Sequence, residues 1–259
     1  MKLLIVDDRL HELSLRYEIR QELAQRLRKL EDYEIIIVCD DSGSMKTEID
    51  GTNRTRWDEL KEFVKIILEV GTIFDPRGVD IYFLNRRPIS HVINPNSVDD
   101  AFIDPPRGYT PLVRVLRDIF QLPSTRRGHD KEVLVFIATD GAPTDDYGNI
   151  NVEELEHLMT HERRAKTTHV MFLLCTDDQA CVDYLAKWDE EMINVDVTDD
   201  FKTERDTIRK YQGENYPFSK GDYIVKALIG AIDQQIESGV IIPVRRVSTA
   251  PSIIQRNIL

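Results

Sequence analysis

Short apolar runs rich in β-branched residues recur along the chain, each followed by a stretch whose apolar residues return every three or four positions. Strands alternating with helices, the rhythm of an α/β protein, are the prediction. Glu34–Cys39 (EIIIVC) and Val133–Ala138 (VLVFIA) are apolar almost throughout rather than alternating, so both are expected to be covered on two faces, with the second central. Val79–Leu84, His169–Leu174 and Ile193–Val197 read as further strands. Ile89–Ile93 is more polar and flanked by prolines, which suits an antiparallel edge strand.

The helices between them carry their own start signals. Thr55 and Asp58 form a Thr-x-x-Asp capping pattern ahead of a stripe made by Trp57, Leu60, Phe63, Val64, Ile67 and Leu68. Thr110 is expected to cap a helix with Pro111 in its first position and Leu112, Val113, Leu116, Ile119 and Phe120 inward. Asn151 is expected to cap a helix reaching about His161, Ala180–Trp188 reads as another, and a last helix is predicted from about Ser219 to Glu237. The expected architecture is a doubly wound sheet with helices on both faces.

Two flanks lie outside this rhythm. In residues 9–31, Ile19, Leu23, Leu27 and Leu30 have helical spacing while Leu13, Leu15, Tyr17 and Ile19 alternate, which leaves the first half open between helix and strand. The expected division is an N-terminal helical extension (1–32), a main domain (33–237) and a basic tail (238–259) with Arg245, Arg246 and Arg256 and no acid. That tail either docks on the acidic body or stays free.

Charge and cysteine usage narrow the function classes. With 34 Lys+Arg against 46 Asp+Glu, the formal net charge of −12 repels a phosphate backbone and argues against a nucleic-acid binder. The opening apolar run Leu3–Val6 ends at Asp7 and Asp8, too short for a signal-peptide core, and no run approaches the ~18 apolar residues of a membrane span. Cys39, Cys175 and Cys181 cannot all pair and lack framework spacing, so a reducing compartment, the cytoplasm, is expected. The sequon Asn53-Arg54-Thr55 then carries no glycosylation meaning.

Ligands of open α/β sheets bind beyond the carboxyl ends of the strands, and two of those ends are acidic here. Asp40-Asp41-Ser42-Gly43-Ser44 follows the first strand, and Thr139-Asp140-Gly141-Ala142-Pro143-Thr144-Asp145-Asp146 follows the central one. Crowded carboxylates repel one another, and a bound cation removes that cost. Hydroxyls with carboxylates are hard oxygen donors that suit Mg²⁺, with Mn²⁺ or Ca²⁺ as alternatives, better than Zn²⁺. Alternate positions Asp40, Ser42 and Ser44 can point into one site from a turning loop, with Gly43 supplying backbone freedom.

Asp40-x-Ser42-x-Ser44, then Thr110 within Gly108-Tyr109-Thr110-Pro111-Leu112, then Thr139-Asp140-Gly141, in that order, resemble the metal-ion-dependent adhesion site of von Willebrand factor A domains. The resemblance covers roughly residues 33–237. It implies a Rossmann-like fold with a mostly parallel, six-stranded sheet. It also implies a metal held by Ser42, Ser44 and Thr110 directly and by Asp40 and Asp140 directly or through water. An acidic side chain of a protein partner would complete the coordination, so the implied activity is binding rather than turnover.

The plainest rival for the Asp40–Ser44 loop is an ordinary polar turn. Asp41, Asp145 and Asp146 are expected to be solvated or supporting acids, since the set of five is complete without them. His157 and His161 sit four apart on a predicted helix, with no third ligand placed to finish a zinc site. A receiver-like opening lacks a phosphoacceptor at a strand end, since Asp50 lies in the polar stretch Thr47–Asn53. Asp41-Ser42-Gly43 has no partner motif of a protease, and Ser42 stands where a dehalogenase-type phosphatase needs a second Asp. Two alternatives stay open: a Mg²⁺-dependent hydrolase using Asp41, Asp145 or Asp146, and a structural domain that interacts through its flanks.

Overall fold

The computed structural model describes residues 2–49, 51–125, 130–176 and 182–237. Helices α1 (Lys2–Arg16) and α2 (Gln21–Arg26) lead through a 3-10 turn into β1 (Tyr33–Cys39), followed by α3 (Arg56–Phe74), β2 (Val79–Phe83) and β3 (Ile89–Val92). A single turn α4 (Val98–Ala101), α5 (Leu112–Phe120), β4 (Glu132–Thr139), α6 (Val152–His157), β5 (Thr168–Leu174) and α7 (Asp183–Glu191) come next. β6 (Val195–Thr198), α8 (Phe201–Gln212), α9 (Lys220–Ile229) and α10 (Gln234–Glu237) close the described chain. The sheet order is β3-β2-β1-β4-β5-β6, with β3 antiparallel to β2 and every other pair parallel. This is the Rossmann-like α/β sheet expected, and the polar strand is its antiparallel edge.

Two-sided burial explains why the central strands are apolar throughout. Ile35, Ile37, Leu134 and Phe136 pack with residues of α1, α2, α3 and α9, whereas Ile36, Val38, Val133, Val135 and Ile137 pack with those of α5, α6 and α7. Each such side chain contributes about 1.5–3 kcal/mol relative to exposure, so neither face tolerates a polar residue cheaply. The Thr55–Asp58 capping box is formed, and α3 buries Trp57, Leu60, Val64, Ile67 and Leu68 as its spacing predicts.

Several element boundaries differ from expectation. Pro111, not Thr110, occupies the cap position of α5, which starts at Leu112 without a side-chain cap. Thr144 draws Thr110 away: the Thr110 N–H donates to Thr144 Oγ1 (2.9 Å) and its carbonyl accepts from the Thr144 N–H (2.9 Å). Asn151 does stand at the cap position of α6, but its side chain makes no cap hydrogen bond; its Nδ2 reaches Glu154 Oε2 at 3.4 Å, and α6 passes into a π-turn over Leu158–Glu162. The last predicted helix is broken. Its Ser219–Asp222 capping box forms, but α9 stops at Ile229 and a 3-10 turn, Gly230–Ile232, separates it from α10. The start of the predicted 180–188 helix, Cys181 and the basic tail from residue 238 lie outside the described residues.

The N-terminal segment is helical and continuous with the main core. α1 buries Leu10 and Leu13 and leaves Leu15 69% exposed, so the alternation around residues 13–19 does not mark a strand. Glu18, at φ 54°, turns the chain into α2, and Ile19, Leu23, Leu27 and Leu30 join the sheet's core. Arg20 pairs with Asp222 of α9 at 2.8 Å, and the backbones there approach closely. A Cβ on Gly221 would stand 2.5 Å from the Glu18 carbonyl oxygen. Gly221→Ala is therefore expected to cost about 1–3 kcal/mol by overpacking, read as a lower urea midpoint. An unchanged midpoint would show that the turn is not held against α9. No helix among the described residues is long and apolar enough to cross a membrane.

Candidate metal centre

β1 has β2 on one side and β4 on the other, so the strand order reverses between β1 and β4, and a crevice opens beyond their carboxyl ends. Register pairs Cys39 with Ala138, which sets Asp40 beside Thr139. Asp40 extends the ladder by donating its N–H to the Ala138 carbonyl (2.9 Å). Its carboxylate accepts from Thr139 Oγ1 (2.7 Å) and from the Ser42 N–H (2.9 Å), which curls the loop back toward β4. Asp40 is fully buried, and burial first, then the charge of Asp140, pushes its carboxyl up to about 6. An unneutralised carboxylate pair is expensive in this crevice.

The loop after β1 lines oxygens toward Asp140. Ser42 Oγ and Ser44 Oγ are 3.0 Å apart, and Ser44 Oγ donates to Asp140 Oδ1 at 2.8 Å. Adjacent ligands of an octahedral Mg²⁺ with bonds near 2.1 Å lie about 3 Å apart, so this row has the spacing of successive octahedral edges. Thr110 is buried on the neighbouring loop. Gly43 N–H donates to the Gly108 carbonyl (3.1 Å) and Arg107 N–H to the Asp41 carbonyl (2.6 Å), which clamps that loop against the serines. Thr144 and Leu112 engage the backbone of Thr110, leaving its hydroxyl as the group it offers. Gly108 sits at φ +105° with Asn85 Oδ1 only 2.5 Å from where a Cβ would be, so no other residue fits the clamp.

The structure thus gathers Asp40, Ser42, Ser44 and Asp140 and clamps the Thr110 loop to them. It does not bring in the other acids. Of the two roles expected for Asp41, solvated or supporting, its burial leaves the second: Oδ1 accepts from Asn85 N–H (2.8 Å) and Nδ2 (3.1 Å), and Oδ2 faces Arg86 Nε at 3.0 Å. Burial pushes its carboxyl up while Asn85 and Arg86 pull it back. Its role is to tie the end of β2 to the serine loop. Asp145 closes its own turn by accepting from the Tyr147 and Asn149 N–H groups, and Asp146 pairs with Arg114 at 3.0 Å. His157 and His161 stack on the surface with centroids 4.6 Å apart.

Sequence reasoning missed three residues of the site. Arg56, the first residue of α3, donates from Nη1 to Asp140 Oδ2 at 2.8 Å. Asn85 and Arg86 hold Asp41 as described. Their only sequence signal is position, a helix start and a strand end, since the contacts span 84 and 44 residues. Among the described residues no group of three or more His, Cys, Asp or Glu is placed to hold a metal ion. The present cluster instead has two carboxylates and takes its remaining donors from hydroxyls, which suits a hard, water-retaining cation.

No family model matches the chain, and no curated protein matches it. Among solved structures it is similar to the pilus adhesin SpaC of Lactobacillus rhamnosus GG, at 15% sequence identity and a TM-score of 0.45. The match covers 75% of this chain and 31% of that one, so the chain spans about a third of the adhesin's length.

Proposed function

We propose that this protein is a metal-dependent protein-binding module of the von Willebrand factor A kind. Asp40, Ser42, Ser44, Thr110 and Asp140 would hold a Mg²⁺, and a Glu or Asp of a partner protein would complete its coordination. The observation that carries this reading is the Ser42–Ser44–Asp140 row of oxygens at 3.0 and 2.8 Å, placed where the sheet order reverses. When bound, the ion supplies a positive centre that a carboxylate can ligate. The chain's own residues position the donors: Asp40 curls the loop, Gly108 and Thr144 set Thr110, and Asp41 fastens the loop to β2.

Two further features support binding rather than turnover. Asp41, Asp145 and Asp146, the acids a hydrolase would draw on, are each engaged elsewhere. Tyr109, Tyr147 and Ile150, on the loops carrying Thr110 and following Asp140, are 54%, 86% and 73% exposed, and such side chains make good contacts at an interface. Free thiols at Cys39 and Cys175 suit a reducing compartment, and net charge suits a partner other than nucleic acid.

Thermal melting with and without Mg²⁺ tests the reading. Saturating ion at 100 times Kd stabilises by about 2.7 kcal/mol, so the wild-type midpoint is expected to rise with Mg²⁺ concentration. A Ser42→Ala, Ser44→Ala double variant, which alters no charge, is expected to fold but not to respond. Equal rises in both proteins would remove the serines from the site, and a rise in neither would remove the metal.

A further inference from the structure

Asp40 and Asp140 place two carboxylates in one buried crevice, and the chain brings a cation to them. Arg56 is fixed at the backbone: it follows the Thr55 cap, and its N–H donates to the Thr47 carbonyl at 3.0 Å. From there its guanidinium, 15% exposed, reaches Asp140 Oδ2 at 2.8 Å, while the Asp140 side chain is fully buried. Arg86, the other guanidinium nearby, is committed to Asp41. Asp140 therefore spends one oxygen on Ser44 and the other on Arg56.

We propose that Arg56 is a built-in counter-ion of the site: it neutralises Asp140 while no divalent ion is bound, and it competes with that ion for the carboxylate. This rests on the metal-binding reading above and concerns what sets the affinity of that site. A guanidinium is always charged and prefers a carboxylate over water when half-buried, so loading the ion requires Asp140 to turn from Arg56 or to share its charge. The helix start that carries Arg56 adds its own positive dipole end. Metal affinity is thereby held down, and the folded apo state is kept stable without an ion.

Calorimetric titration with Mn²⁺ of the wild type and of Arg56→Gln, together with melting in EDTA and in saturating Mn²⁺, tests the proposal. Arg56→Gln is expected to bind Mn²⁺ about 10-fold tighter, within the range usual for coupled sites. It is also expected to melt below the wild type in EDTA and to lose that deficit in Mn²⁺. Equal or weaker Mn²⁺ binding by the variant, or the same melting deficit in both conditions, would overturn the competition while leaving the metal site standing. Mn²⁺ binding by neither folded protein would overturn both.

Discussion

Lys226→Ala is expected to destabilise the protein by about 3–5 kcal/mol, because it strips the cation from a buried cluster of carboxylates. Lys226 Nζ lies 2.9 Å from Glu204 Oε1 and 3.2 Å from Thr198 Oγ1, and Lys226, Glu204 and Asp196 are each at most 4% exposed. Burial works against the ammonium, but Glu204 and Asp196 outweigh it and raise its affinity for the proton. Burial pushes Asp196 well above the usual carboxylate range and raises Asp189 beside it. With the lysine of α9 gone, these acids of α7, β6 and α8 face one another with no compensating charge. The pH dependence has a definite sign. A carboxylate whose folded pKa is raised adds stability at low pH that is lost as pH rises through the folded value. The variant's deficit is therefore expected to be small near pH 4 and to grow toward neutrality. Urea denaturation at both ends of that range checks it, and a loss under 1 kcal/mol at pH 7 would mean that the cluster is already neutral.

The same cluster shows where the sequence is hard to read. The pattern of apolar positions does not predict α8, because its inward face holds Ile208 and the acid Glu204, and an inward acid reads as a solvated one. Only the burial of Lys226, far along the chain, makes Glu204 a core residue. By contrast the strands are legible, since residues such as Ile35 to Val38 and Val133 to Ile137 are buried on both faces of the sheet and carry no polar interruption. The capping box at Thr55 is local and therefore visible, and the helix start at Ser219 is legible too, although the box that Ser219 forms with Asp222 shows only in the structure. Thr110 misleads because two structures compete for one residue: a helix cap needs its side chain, and Thr144 instead fixes its backbone from 34 positions away. For Asp41 the sequence leaves two roles open, solvated or supporting, because the groups that decide between them, the Asn85 amide and the Arg86 guanidinium, come from the end of the next strand. Asp40, Ser42, Ser44 and Asp140 are legible because three lie on one short loop and the fourth ends the most apolar strand. Arg56 is not legible, because nothing short of the β1–β4 register and the hold of the Arg56 backbone on Thr47 brings it to Asp140.

Asp140→Ala is expected to have the largest effect on the site. It removes a charged donor from the row that runs through Ser42 and Ser44, and the Arg56 guanidinium, whose charge Asp140 no longer offsets, repels an incoming cation. Loss of a supporting ligand costs 10- to 100-fold in metal affinity in other sites, and the two effects together are expected to reach at least about 100-fold here. The fold is expected to survive. Losing the pair with Arg56 costs stability, but Asp40 is relieved of the neighbouring charge that pushes it up in the wild type, and the two changes oppose each other.

The most direct test is a calorimetric titration of metal-stripped wild type and Asp140→Ala with Mg²⁺ and Mn²⁺, with circular dichroism to confirm that both are folded. A saturable one-site heat in the wild type and none in the variant is the predicted result. A folded wild type that takes up neither ion, or a variant that binds as tightly as the wild type, would contradict the assignment of a metal to these residues.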